Sequence, residues 1–495
     1  MSISMLMIFV PIAVVIVSMA CFHRSARNSM IFGSIAAIAV AWIGGYNAEI
    51  LVLQTANLFA ATLTDNWALF LSLLVFGMLV YTMTGSDAPS GLEHAVARLV
   101  NSPMMFAVLL LMCCIVFSVD DYLACIVICM SLTKCGRRYG MTPARIAVFI
   151  NLLVGSVCTL VPYSTWAPVI EGALAAGTGA PGEGWRFYAF LPLCNIILVE
   201  AYGIFHSKGG AVTAVSRAEA LSAADRRSVI AMLISAASLV SVFFFCNLAG
   251  LENALFIAAC ASLLVTVIVY NAFGFTSLKR MYRSFVRGIR TMGDLDLTLV
   301  SIWMFTGLLM EVLHLDTWIV LLLYTFQVPV WLLPMLYFVV SALFSYFTGS
   351  CFASFRLMIP LAVAPIALLE CSELSALMIG AVISGSLFAA SSMTSDTLNL
   401  TVNCTGSPFG DAFALQCRYG VCIFVVCVMS YLCAGVCVYF LTGTYARIVS
   451  LAVFVLIAVV SGIFFSGDSN AKEPDTSNLQ SKEKSNSQTE HKVLD

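Results

Sequence analysis

Apolar runs of about 20 residues, the length that crosses roughly 30 Å of hydrocarbon, recur from one end of this chain to the other. The pattern predicts full spans at 3–22, 29–44, 67–86, 187–206, 229–248, 253–273, 297–313, 419–441 and 447–466. Two regions depart from it. In the first, apolar residues 103–118 run into Asp120-Asp121, a second stretch covers 122–133, and 145–170 is interrupted by Pro162-Tyr163-Ser164-Thr165-Trp166-Ala167-Pro168. In the second, 331–347 runs into Thr348-Gly349-Ser350, 352–369 follows, and the run from 375 is interrupted between Ser391 and Asn399. Each region reads as a helical hairpin with a polar tip, followed by a broken helix. Gly91 to Val100, with Glu93, His94 and Arg98, reads as an amphipathic helix on the inner face.

The two regions match each other at an offset of about 230 residues, the mark of a transporter built from two structural halves. Asp120 corresponds to Gly349, and Ser164 to Thr394. The expected division is 1–66 as N-terminal scaffold helices, 67–248 as a first transporter repeat, 249–466 as a second, and 467–495 as a disordered tail. The fold class is an all-α polytopic membrane protein.

Composition agrees. Hydrophobic residues make up 61% of the chain and charged ones 10%, against roughly 25% charged in soluble domains, which excludes an ordinary soluble enzyme. Lys and Arg number 24 and Asp and Glu 26, and the tail from Gly467 holds four of the former and six of the latter. No basic surplus is left to attract nucleic acid. Basic loops at His23–Arg27, Lys134–Arg145, Lys208–Arg227 and Lys279–Arg290 are expected in the cytoplasm, and the acidic loops Glu171–Glu183 and Glu370–Glu373 outside. The first hairpin then enters from the cytoplasm and the second from the opposite side, so the repeats are inverted. The N-terminus lies outside, as a helix that stays rather than a cleaved signal, and the tail is cytoplasmic.

Most of the 18 cysteines sit within apolar runs, where Cys acts as a small apolar residue. No paired CxxC motif with His partners suggests zinc or redox chemistry. Asp120-Asp121 could hold a divalent metal, but no His or Cys cluster completes a hydrolytic site, so an enzyme is not expected, nor a cofactor beyond transported ions.

Backbone without helical partners is tolerated at membrane depth only where it is buried in protein or lines a wet cavity. The hairpin tips and breaks therefore point to one polar site, built from Asp120, Asp121, Ser164, Thr165, Thr348, Ser350, Ser395, Asp396, Thr397 and Asn399. Hydroxyls and carboxylates are hard oxygen ligands, suited to hard cations. Asp121, Ser164, Ser350 and Asp396 are the candidate sodium ligands. Two adjacent Asp at the bilayer centre would cost about 5–7 kcal/mol if isolated. A cation favours their ionised forms and displaces a proton, which is the minimal physics of an antiporter. The alternative for Asp120-Asp121 is an interfacial helix cap. Arg356 could bind a carboxylate substrate, or simply pair with a helix end or an Asp. Glu200, Glu311 and His314 read as interfacial.

Asp120-Asp121-Tyr122 and Val161-Pro162-Tyr163-Ser164-Thr165-Trp166 resemble the first signature of the NhaC-type sodium/proton antiporters. Thr348-Gly349-Ser350, Met358-Ile359-Pro360-Leu361-Ala362, Gly380 to Gly385 and Ser395-Asp396-Thr397 resemble the second. The resemblance covers most of 65–415. It implies the ion-transporter superfamily fold, with about eleven spans and two re-entrant hairpins, and often a homodimer in which a transport domain moves against a scaffold. Two departures stand out. Asn151 occupies a position where the family usually carries an acid, and Ala389-Ala390 replaces its usual Gly-Asp. The expectation is sodium/proton antiport by alternating access across the cytoplasmic membrane, with the bilayer, sodium and protons as partners. The alternative is a sodium- or proton-coupled carrier or exchanger of a small organic anion or amino acid, which Arg356 and the missing acids would suit.

Overall fold

The computed structural model describes residues 7–22, 24–86, 88–100, 102–139, 141–175, 184–190, 222–366, 372–441 and 443–466. Among these residues every regular element is a helix, as a backbone in lipid requires when each N–H and C=O must be satisfied within its own segment. The helices of the N-terminal part are α1 (Val10–Ala20), α2 (Ala26–Ile43), α3 (Ala48–Asp65), α4 (Trp67–Thr84) and α5 (Ala88–Leu99). Next come α6 (Pro103–Phe117), α7 (Asp121–Arg138), α8 (Pro143–Leu160), α9 (Trp166–Ala175) and the short α10 (Trp185–Ala189). The second part holds α11 (Ala223–Leu248), α12 (Ala254–Ala272), α13 (Leu278–Gly307), which runs into a π-helical turn, and α14 (Leu315–Thr325). It continues with α15 (Leu333–Thr348), α16 (Cys351–Ile366), α17 (Ser372–Ser386), α18 (Asp396–Thr405), α19 (Phe409–Phe440) and α20 (Gly443–Ser466). Nine helices among the described residues are long and apolar enough to cross a bilayer; the chain is a multi-pass membrane protein.

Small polar residues set many of the helix starts. Ser25, Asn47, Ser102, Asp120, Thr142, Ser222, Ser277 and Ser395 each accept a hydrogen bond from the first turn of the helix they precede, satisfying donors that have no intrahelical partner.

Both expected hairpins fold back on themselves. In the first, Phe106 near the start of α6 meets Tyr139 just past the end of α7, with ring centroids 6.1 Å apart. In the second, the Ser341 and Ser354 hydroxyls lie 3.0 Å apart and Tyr337 donates to the Leu361 carbonyl at 2.8 Å. Pro365 lacks the N–H that would have reached that carbonyl, so the tyrosine supplies the missing donor. The expected breaks also occur, between α8 and α9, and after a 3-10 turn at Leu387–Ser391 before α18. The helices α6, α7, α8 and α9 begin at 103, 121, 143 and 166; α15, α16, α17 and α18 begin at 333, 351, 372 and 396.

Two expectations need correction. Lys279–Arg290 is not a loop but the first half of α13, started by the Ser277 cap; Lys and Arg are good helix formers, so charge here marks a surface, not an end of helix. The helix α3 was not anticipated, because Gln54, Asn57 and several Thr dilute its apolar character. The span at 187–206 falls mostly outside the described residues. So do Glu200, most of the loops 171–183 and 208–227, residues 370–371 of the second acidic loop, and the tail from 467. The stretch 91–100 is helical as expected, within α5, tied by Glu93 to Lys134 of α7 at 2.9 Å and by His94 to Asp225 of α11 at 3.2 Å.

The helix pair α4 and α13 crosses closely. A Cβ added to Gly77 would stand 2.5 Å from the Gly288 carbonyl oxygen, so the two backbones touch where neither residue has a side chain, a common way for membrane helices to pack. Elsewhere buried hydroxyls join helices: Ser386 of α17 donates to Ser354 of α16 at 2.8 Å, and Ser341 of α15 to the Val382 carbonyl at 2.7 Å.

Candidate ion and substrate site

The hairpin tips and helix breaks bring four helix starts, those of α7, α9, α16 and α18, to the middle of the bundle. Unpaired N–H groups give such ends a partial positive charge that stabilises first-turn acids. Two starts carry one: Asp121 begins α7 and Asp396 begins α18. The other tip residues hold the turns together. Asp120 caps α7 by accepting from the Leu123 N–H at 3.0 Å and accepts from the Thr165 hydroxyl at 3.5 Å, while the Thr165 N–H donates to the Val119 carbonyl at 2.8 Å. Hairpin tip and helix break are thus tied to each other. Ser164 donates to the Cys158 carbonyl at 2.6 Å and accepts from the Ala167 N–H at 3.3 Å.

At the second tip, Gly349 adopts a left-handed φ of 62°, and a Cβ there would run into the Thr394 hydroxyl of the second break. Ser350 accepts from the Ala353 N–H at 3.3 Å. Ser395 caps α18 by accepting from the Leu398 N–H at 3.3 Å and pairs with the Thr397 hydroxyl at 3.2 Å, and Asn399 donates to the Ser395 carbonyl at 2.9 Å.

A cavity of about 490 Å³ opens among these elements. Of the residues singled out from the sequence, Asp121, Asn151, Thr348, Ser350, Ser395, Asp396 and Thr397 line it. Asp121 is buried and Asp396 is exposed to the opening. Tyr122 of α7 reaches α18, its hydroxyl donating to Asp396 at 3.5 Å. The Trp166 indole stands beside the Asp121 carboxylate. The lining also includes Arg24 just before α2 and Arg27 in its first turn, with Thr291, Asp294 and Thr298 from α13; Arg27 pairs with Asp294 at 2.5 Å.

The other candidates stand elsewhere. Asp120, Ser164, Thr165 and Asn399 serve the turns just described and do not line the cavity. Arg356 also lies off it, with its guanidinium 5.5 Å over the Trp303 ring and facing Glu311 and Asp65 electrostatically. Glu311 and His314 are exposed between α13 and α14. Among the described residues no group of three or more His, Cys, Asp or Glu is arranged to hold a metal ion.

Sequence reasoning missed several groups at the site. Tyr122 and Trp166 were read only as parts of motifs, Arg24 only as part of a basic loop, and Asp294 was not singled out. Gln416 went unremarked, although an amide within the apolar run of α19 is the same costly-polar signal that drew attention to Asp396. The two departures meet one another: the Asn151 amide donates to the Ala390 carbonyl at 3.1 Å and to the Gln416 amide oxygen at 3.5 Å.

The Na+/H+ antiporter family model matches residues 213–397. That stretch reaches from the region before α11 through the second hairpin to the start of α18, and over it the chain is similar to that family. No curated protein matches the chain.

Proposed function

We propose that this chain is a secondary active transporter of the cytoplasmic membrane, of the NhaC type, exchanging sodium for protons by alternating access. The observation that carries the reading is that Asp121 and Asp396, on the starts of two different helices, line one cavity together with Thr348, Ser350, Ser395 and Thr397. Carboxylates amid hydroxyls suit a small hard cation, and the same carboxylates accept protons when the cation leaves. The family match over 213–397 supports it. In this reading the basic stretch at Arg24–Arg27 is cytoplasmic, so the cavity opens inward; 67–248 and 249–466 are inverted repeats; and the working unit is a homodimer without a cofactor.

A second reading has its own support. A cavity of about 490 Å³ is large for a bare ion, and Arg24 and Arg27 stand on its wall; concave sites of this size commonly hold small organic ligands. A sodium- or proton-coupled carrier or exchanger of a small organic anion or amino acid would use that space.

Proteoliposomes containing a pH dye separate the two. Antiport requires that a sodium gradient alone drives protons in the opposite direction, with no organic solute present. If sodium moves no protons while a labelled organic acid accumulates only when sodium is added, the second reading replaces the first.

A further inference from the structure

We infer that Gln416 is a positioning residue which, with the Ala390 carbonyl, holds the Asn151 amide so that its oxygen faces the cavity as a neutral ligand for the transported sodium ion. The inference rests on the sodium/proton reading above.

The orientation of the Asn151 amide follows from its neighbours. Its nitrogen lies 3.1 Å from the Ala390 carbonyl oxygen, and a carbonyl only accepts. Turning the amide over would set oxygen against oxygen. Gln416 holds the same face: its own nitrogen donates to the Ser391 hydroxyl at 3.3 Å, which leaves its oxygen for Asn151 at 3.5 Å. Gln416 is fully buried on α19, Asn151 is 1% exposed on α8, and Ser391 ends the 3-10 turn before the second break. Three separate elements thus fix one amide.

The consequence is an unused acceptor. Asn151 Oδ1 is buried without a hydrogen-bond partner, on a residue that lines the cavity. A buried acceptor left empty is costly, and the groups that share this cavity are the carboxylates of Asp121 and Asp396 and a set of hydroxyls. A sodium ion held beside Asn151 by neighbouring oxygens of this set would give that oxygen its partner. An amide oxygen differs from a carboxylate in that it takes up no proton. Asn151 therefore adds to sodium affinity without adding a proton to the exchange, and its share of that affinity is the same at every pH.

The test uses the full chain in proteoliposomes, reading the sodium concentration for half-maximal proton movement at several pH values, together with binding of isotopic sodium in detergent. Gln416→Leu is expected to raise the half-saturating concentration about tenfold or more, the usual effect of removing a partner that orients an ion ligand, by the same factor at each pH and with the maximal rate little changed. Asn151→Ala should do the same, and the double variant should be no worse than either, since both remove one interaction. Gln416→Glu keeps an acceptor for the Asn151 nitrogen and accepts from Ser391, so it should fall closer to the unmodified chain than Gln416→Leu does. Should Gln416→Leu fail to fold, Asn151→Ala and Gln416→Glu carry the test. Unchanged half-saturation in Asn151→Ala, or Gln416→Glu as impaired as Asn151→Ala, overturns the inference. If the unmodified chain moves no protons with sodium, the antiport reading fails separately. Isotopic binding then decides this point, and equal sodium binding by the unmodified chain and Asn151→Ala overturns it.

Discussion

Asp121 and Asp396, which line the cavity, differ from Asp120, which does not. Asp121 and Asp396 occupy first-turn positions facing open space, whereas Asp120, one residue away, spends its oxygens on Leu123 and Thr165. Asp121→Asn and Asp396→Asn should each abolish sodium-driven proton movement while the protein elutes as a folded species; exchange at the unmodified rate in either variant removes that residue from the site. Ser164 should behave otherwise. Its hydroxyl serves the Ala167 N–H and the Cys158 carbonyl rather than the cavity, so Ser164→Ala is expected to cost about 1 kcal/mol, as a lost cap does, seen as a lower thermal midpoint with exchange retained. Tyr337→Phe leaves the Leu361 carbonyl, already deprived of an N–H by Pro365, without its donor. An unsatisfied buried carbonyl costs about 1–3 kcal/mol, again read as a thermal midpoint.

Among the elements, hairpins and broken helices were legible because their polar tips interrupt apolar runs, and a polar residue at membrane depth is expensive enough to need a reason. The limits of α13 were not. Lys279, Arg280, Arg283, Arg287 and Arg290 read as loop by charge, yet all of them lie on a continuous helix, since helix propensity and membrane preference are different properties of the same side chain. The placing of Asn151 against Ala390 was beyond reach, because it depends on how α8 packs against the 3-10 turn, a contact between residues 239 positions apart. The crossing of α4 and α13 has a similar origin, and it gives a direct expectation. A Cβ on Gly288 would collide with the Gly77 backbone, which has nowhere to move, so Gly288→Val should separate the two helices and lose folded protein, measured as yield of monodisperse material after detergent extraction. A normal yield would mean that the crossing can open without loss of the fold.

For the molecule as a whole, alternating access requires that the cavity face one side at a time, and the cavity reaches the surface past Arg24, Arg27 and Asp294. In the proposed reading, the charge of Arg24 and Arg27 at the start of α2 puts that side in the cytoplasm. Cys351, the first residue of α16, lies on the cavity wall and is partly exposed there, whereas Cys125, also on the wall, is fully buried. A membrane-impermeant thiol reagent should therefore reach Cys351 from the cytoplasmic side in inside-out vesicles, with the labelled peptide identified by mass spectrometry. It should reach it from the outer side in right-side-out vesicles only as fast as the transporter reorients. In the proposed function, ion binding at Asp121 and Asp396, across the tips of α7 and α18, changes how often that happens, so sodium should alter the labelling rate from the outside by a different factor than from the inside. Labelling that proceeds equally fast from both sides, and is indifferent to sodium, would mean a cavity open to both compartments, which is a channel and not an exchanger.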